Sequence, residues 1–245
     1  MMQERNHENL IRLVSTQSAR RILEDLIPEI QRQLGVRIEA GFIGVSVLNK
    51  IGTRTIEADV FVGPSDTVGQ YVMERRPLSF SRVGLAISRS GAAFRSSEPL
   101  PDVSSLGKCL EFLEKAESVA YSEGISGKHL LEVLAKYGLD EAVGKKRVLP
   151  ETGGSAATCV VLGLADVGIQ QVSEMISVDG VTIVELPGEL SKVASYEAVA
   201  RRTGDSNGGA ARILDYLTSG SFRNTLGSYG LLPPSLREGY LSTKE

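Results

Sequence analysis

Apolar residues along this chain follow two alternating rhythms. Residues 10–14 (LIRLV) are a short apolar run that stops at three hydroxyls, Ser15, Thr16 and Ser18. The period then changes. Ile22, Leu23, Leu26, Ile27, Ile30 and Leu34 share one face at helical spacing, so 18–34 is expected to be an amphipathic helix. Gly35 stands where a left-handed helix end belongs. Strands at 36–42, 58–63 and 78–88 alternate with helices at 44–51 and 65–74. The run ADVFVG at 58–63 is continuous enough to suggest a strand buried on both faces.

The stretch SRSGAAFRSSEPLPD at 88–102 is rich in Gly, Ser and Pro and reads as a surface loop. A second alternating series follows it. Helices are expected at 106–115, 126–137, 155–162 and 172–176, with strands at 118–121, 147–149, 166–170 and 181–185. A strand at 193–201 and helices at 208–217 and 221–229 complete the pattern, and Pro233-Pro234 stops the last helix. The series predicts an α/β protein of two lobes. The long strands near 78–88 and 193–201 would cross between them. Residues 8–81 with 193–240 would form a discontinuous first lobe, and 82–192 the second. In open α/β sheets ligands bind at the carboxyl ends of strands, against helix N-termini.

Composition narrows the function. The chain has 245 residues, enough for one large domain or two small ones. A net charge of −3, 5% aromatics and no Trp give no reason to expect nucleic acid as a partner. No stretch approaches the ~18–20 apolar residues of a membrane span. The start, MMQERNHENL, is polar and lacks the apolar core of a secretory signal. This favours a cytoplasmic protein as the chain is given; the alternative is a periplasmic one whose signal has been removed. Cys109 and Cys159 match no metal or redox spacing, and His7 and His129 stand alone, so no metal site is expected. Gly153-Gly154-Ser155 lacks the lysine of a P-loop, and no nucleophile elbow is present. No cofactor is expected.

Four junctions share one character: a strand, a turn rich in Gly, Ser or Thr, then a helix. They are Ser15-Thr16-Gln17-Ser18, Gly44-Val45-Ser46, the run from Ser122 through Glu123 to Ser126 and Gly127, and Thr152-Gly153-Gly154-Ser155. Each offers helix-start N–H groups and a hydroxyl, which together hold anions. The plain reading of any one junction is an N-cap. Arg20 and Arg21 lie in a first turn, where the helix dipole disfavours cations. Either they are solvated, or one leans toward a ligand carboxylate; Arg54 is a similar loop candidate. Glu197, mid-run in SYEAVA, is a satisfied buried carboxylate or a general base. Tyr196 beside it is a donor or core packing. Gln170 and Gln171 end a strand and are ligand amides or surface residues.

The ordered motifs STQSARRILEDLIPEIQRQLGVRIE, FIGVSVLNKI, ADVFVGPSD, SGKHLLEVLAKYGLDEAVGKKRVLPETG, GLADVGIQQVSE and AARILDYLTSGSFRNTLGSYGL cover most of residues 10–232. In this order the chain resembles the periplasmic molybdate-binding proteins and their type II solute-binding relatives, including a branch of aconitate isomerase type. The resemblance implies two α/β lobes joined by two crossing strands, with an anion held in a cleft between the lobes by hydroxyls and backbone amides. It places Thr16 at the family's first-helix serine and Val45, or its neighbour Ser46, at the second. Ser126 and Gly153 match backbone donors of the other lobe. Gln171 falls where the molybdate binders keep a tyrosine. With that tyrosine gone and one hydroxyl in question, an organic di- or tricarboxylate is expected rather than molybdate. The alternative is a cofactor-free isomerase of an unsaturated acid. Its base would be Glu197, Glu123 or an activated hydroxyl such as Ser18. An ABC permease would be a partner only of an exported chain.

Overall fold

The computed structural model describes residues 10–76, 78–151, 154–202 and 208–234. The chain divides into two compact units, residues 1–87 with 195–245 and residues 88–194.

In the first unit, β1 (Leu10–Thr16) is followed by a 3₁₀ turn (Gln17–Ala19) and then α1 (Arg20–Leu34). β2 (Arg37–Ile43), α2 (Val45–Ile51), β3 (Val60–Pro64) and α3 (Ser65–Met73) come next, and β4 (Phe80–Arg95) begins here. β1 pairs in parallel with β2 and β3. The returning strand β9 (Val193–Arg201) runs antiparallel to β3, giving the order β2-β1-β3-β9. α9 (Gly209–Leu217) and α10 (Gly220–Thr225) end the unit. The apolar stripe of α1 does what its spacing predicts: Ile22, Leu23 and Ile30 are buried. Gly35 ends the helix at φ 63°, its N–H donating to Gln31 O at 2.9 Å. A core of Leu48, Phe61, Val68, Tyr71 and Val199 fills the space between β3 and α3, with Phe61 and Tyr71 stacked at 4.6 Å.

The second unit takes the far half of β4 and adds α4 (Leu106–Lys115), β5 (Val119–Tyr121), α5 (Ile125–Lys136) and α6 (Asp140–Gly144). β6 (Arg147–Val148), α7 (Ala156–Val161), β7 (Val167–Gln171), α8 (Val172–Met175) and β8 (Val181–Glu185) follow. β5 pairs in parallel with β6 and β7, while β4 runs antiparallel to β7 and β8. Phe94, Leu113, Tyr121, Leu130, Leu134 and Ile169 form its main core.

Two expectations change. The loop expected at 88–102 is strand as far as Arg95. Its glycine and alanines are there for packing and not for turning: a Cβ on Gly91 would lie 3.0 Å from Val172 and 3.1 Å from both Ile183 and the Val184 carbonyl. The helix expected from Ser18 begins as a 3₁₀ turn and becomes α-helical only at Arg20. The short helix α6 was not signalled by any apolar period. Among the described residues, no helix is long and apolar enough to cross a membrane.

Candidate functional site

In the first unit the carboxyl end of β1 carries the hydroxyl cluster. Ser15, Thr16 and Ser18 are all buried. The Ser15 hydroxyl donates to the Thr16 carbonyl at 3.0 Å. The Thr16 hydroxyl has no hydrogen-bond partner among the described residues, although Thr16 is fully buried. Leaving such a group unsatisfied costs about 1–3 kcal/mol. Thr16 makes no side-chain cap, and neither does Ala19 at the start of α1. Thr16 is therefore not the side-chain N-cap that the plain reading of this junction expected. Gly63 on the neighbouring β3 keeps room for Thr16, since a Cβ there would lie 3.0 Å from the Thr16 methyl. Gly44 precedes α2, again without a side-chain cap, and Val45 and Ser46 are that helix's first two residues.

The two arginines of α1 have local explanations. Arg20 Nε pairs with Glu24 at 2.9 Å, with its guanidinium carbon 5.5 Å from the centre of the Phe42 ring. Arg21 Nε pairs with Asp25 at 3.1 Å, and Asp25 also accepts from the Tyr229 hydroxyl. Carboxylates one turn on thus offset the unfavourable dipole position. Both arginines, one of which was expected to lean toward a ligand carboxylate, thus hold a carboxylate of their own helix. Arg54 is exposed. Glu197 faces Gly63 in the β3–β9 register and is ion-paired with Arg82, whose Nη2 donates to Ser65 O at 3.2 Å. Tyr196 is buried.

In the second unit, the β5–α5 junction is a tight turn. Ser122 Oγ accepts from the Gly124 N–H at 3.2 Å, and α5 starts at Ile125 without a side-chain cap. Ser126 and Gly127 are buried in its first turn. Gly127 is required there: a Cβ would lie 1.9 Å from the Ser122 carbonyl. Glu123 is exposed at the tip. Arg147, at the start of β6, donates from Nε to Tyr121 O at 3.2 Å and lies over the Tyr121 ring. Burial pushes the Tyr121 phenol up, and the nearby Arg147 charge partly offsets this.

The start of α7 is not open in the way its Gly/Ser sequence suggests. Ser155 caps it by accepting from Ala157 N at 3.2 Å, and Gln170 Oε1 accepts from Ala156 N at 2.8 Å. Gly153 lies outside the described residues. Gln171 is buried. In the amide orientation that satisfies its neighbours, its nitrogen donates to Ser88 O at 3.1 Å and Arg89 O at 3.2 Å. Its N–H groups are committed to the backbone of β4, and its carbonyl can only accept, so the ligand-donor role expected of it would require those bonds to break. Sequence reasoning missed the surrounding polar cluster. Ser88 Oγ accepts from Ser173 N, Ser90 Oγ accepts from Lys192 N at 2.7 Å, and the buried Ser173 hydroxyl has no partner among the described residues. No group of three or more metal-ligating side chains occurs among the described residues.

An α/β chain of two units, with hydroxyls and uncapped helix starts at its strand ends, has the build of a type II periplasmic solute-binding domain. The chain belongs to the bacterial extracellular solute-binding proteins, whose family model matches residues 11–232. It is 29% identical over 220 residues to the aconitate isomerase of a Pseudomonas species, covering 86% of this chain and 83% of that relative. Among solved structures, the periplasmic molybdate-binding protein of Azotobacter vinelandii aligns with a TM-score of 0.71 at 16% identity, over 91% of this chain and 99% of that one. PEB3 with bound L-phospholactate, a protein known from Campylobacter jejuni, aligns with a TM-score of 0.67 at 14% identity, over 91% of this chain and 100% of that one. A family of extracellular proteins does not support the cytoplasmic expectation drawn from the polar first residues.

Proposed function

We propose that the protein is a solute-binding protein for a small organic acid with two or three carboxylates. The donors would come from Ser15, Thr16 and Ser18 with the start of α2 at Gly44, Val45 and Ser46, and from the start of α5 at Ser126 and Gly127; Gly153, also expected among them, lies outside the described residues. The observation that carries this reading is Thr16. A fully buried hydroxyl with no partner among the described residues, beside two helix starts whose N-cap residues, Thr16 and Gly44, make no side-chain cap, is costly for the fold and useful for holding an anion. An organic acid is favoured over an inorganic oxyanion because a curated relative is named for aconitate and one structural neighbour holds phospholactate. The protein then acts outside the cytoplasm and hands its ligand to an ABC permease.

A second reading follows from the 29% identity to an aconitate isomerase. Moving a double bond along a polycarboxylate requires a base that removes a proton next to one carboxylate. An acid must then return a proton at the far end of the allylic system, while donors stabilise the charge in between. Glu123, exposed beside Arg147, is a base on a strand-end turn. Glu197 is a base held by Arg82, and Ser18 is a hydroxyl in the first 3₁₀ turn.

Thermal melts against molybdate, tungstate, sulfate, tricarballylate and cis- and trans-aconitate test the first reading. The polycarboxylates should raise the melting temperature; a rise with molybdate or tungstate alone would remove the organic acid. NMR of trans-aconitate with the protein in D2O tests the second, and an unchanged spectrum, without exchange or isomer, excludes turnover of that substrate.

A further inference from the structure

Arg147 begins β6 opposite Val119 of β5, yet its side chain reaches the carboxyl end of β5, two residues further on. Nε is anchored on the Tyr121 carbonyl, and the guanidinium carbon sits 4.7 Å from the centre of the Tyr121 ring. These two contacts tether the group to Tyr121. Its charge is answered only loosely. Glu123 Oε1 is 4.0 Å from Nη1, beyond hydrogen-bond length, on a side chain that is 54% exposed. Nη2 is buried and has no partner among the described residues. By contrast Arg20, Arg21 and Arg89 each hold a carboxylate within 3.1 Å. Arg147 is also less exposed than these three, at 26% of its side chain. It stands at the same strand end as the uncapped start of α5, where Ser126 and Gly127 are buried in the first turn.

We propose that Arg147 is the specificity-determining cation of this site, holding one carboxylate of a polycarboxylate ligand beside the first N–H groups of α5. The proposal deepens the organic-acid reading above and rests on it. With Nε taken by the Tyr121 carbonyl, the Nη1–Nη2 edge is left without a close partner among the described residues, Nη2 being unpartnered and Nη1 4.0 Å from Glu123. That edge matches the planar two-oxygen face of a carboxylate. A partly buried site with a fixed positive charge favours a ligand that carries more negative charge. Glu123 is the internal carboxylate that a bound one would displace from this cation.

Calorimetric titration of the full chain tests this, using wild type, Arg147→Gln, Arg147→Lys and Thr16→Val. The probes are tricarballylate, its two truncated forms glutarate and methylsuccinate, and molybdate. Circular dichroism and melting curves report the fold. Arg147→Gln should weaken tricarballylate at least tenfold, and Arg147→Lys should recover part of that loss. For one truncated acid, the one lacking the carboxylate that Arg147 holds, the loss should fall below threefold. Equal losses for all three acids would assign Arg147 a merely structural role and overturn the proposal, as would no loss at all. If Arg147→Gln melts below the assay temperature, the wild type and Arg147→Lys carry the same comparison, and an equal loss for all three acids again overturns it. Failure of the underlying reading looks different: wild type would bind molybdate and none of the acids. Weakening by Thr16→Val but not by Arg147→Gln would keep the reading and remove this inference alone.

Discussion

Gln170 Oε1 accepts the backbone N–H of Ala156 at 2.8 Å, so an amide from β7 closes the start of α7. Ser155 Oγ reaches the same oxygen at 3.3 Å. A helix start that looks ready for an anion is thus partly satisfied from within the unit. Replacing Gln170 by Ala strands a buried N–H. The expected loss is about 1–3 kcal/mol. For a chain of this size each kcal/mol corresponds to roughly 2–4 °C in melting temperature. Calorimetric melts of the variant check this, and an unchanged melting temperature would mean that water replaces the amide.

Thr16→Val should move stability and binding in opposite directions. Valine keeps the shape and removes a buried hydroxyl that has no partner among the described residues. The ligand-free protein should be as stable as wild type or up to about 1–3 kcal/mol more stable. Affinity for the anion should fall at least about tenfold, the effect of losing ~1.4 kcal/mol. Denaturant unfolding and calorimetry on the same preparation give both quantities.

Gly127→Ala should be severe, because its Cβ would sit 1.9 Å from a backbone carbonyl that cannot swing aside. We expect soluble yield or stability to drop by more than about 2 kcal/mol, with the β5–α5 turn displaced. Gly107→Ala in α4 is the control: nothing lies within 4 Å of its Cβ, and it should stabilise by about 0.4–1 kcal/mol. Urea unfolding of the pair separates crowding from simple glycine entropy.

Both cysteines should be inert in the folded state. Burial raises the Cys109 thiol to about 11 and pushes Cys159 up as well. The unfolded thiol ionises near its ordinary value, so between roughly pH 9 and 11 the folded state binds more protons than the unfolded one. Stability should therefore fall as pH rises through that window, and should be indifferent to these thiols below it. Alkylation at pH 8 should be slow until denaturant is added. Fast labelling of native protein would contradict the burial of Cys109 and Cys159.

Much of the fold was legible because its helices carry one-sided stripes. The six apolar positions of α1 and the glycine after it define where that helix ends, while its start falls at Arg20 rather than Ser18. The ion pairs of Arg20 and Arg21 were not read, although RRILED sets Glu24 and Asp25 four residues on, the spacing that pairs them. β4 was not legible. SRSGAAF has loop composition, and only the neighbours of Gly91 show that small residues are needed for packing there. The Gln170 cap was hidden because it joins residues fourteen apart through a strand–helix contact. Arg147 was hidden in KKRVLP, where it looks like one more solvated cation. The signal that singles it out, a tyrosine two residues past its strand partner, exists only once β5 and β6 are paired.

The central claim is that this solute-binding protein takes an organic polycarboxylate. Titration of the wild-type chain with trans-aconitate and with molybdate, in one buffer by calorimetry, tests it most directly. The account predicts saturable binding of trans-aconitate and none of molybdate at equal concentration. Tight binding of molybdate with no heat from trans-aconitate, tricarballylate or glutarate would contradict it.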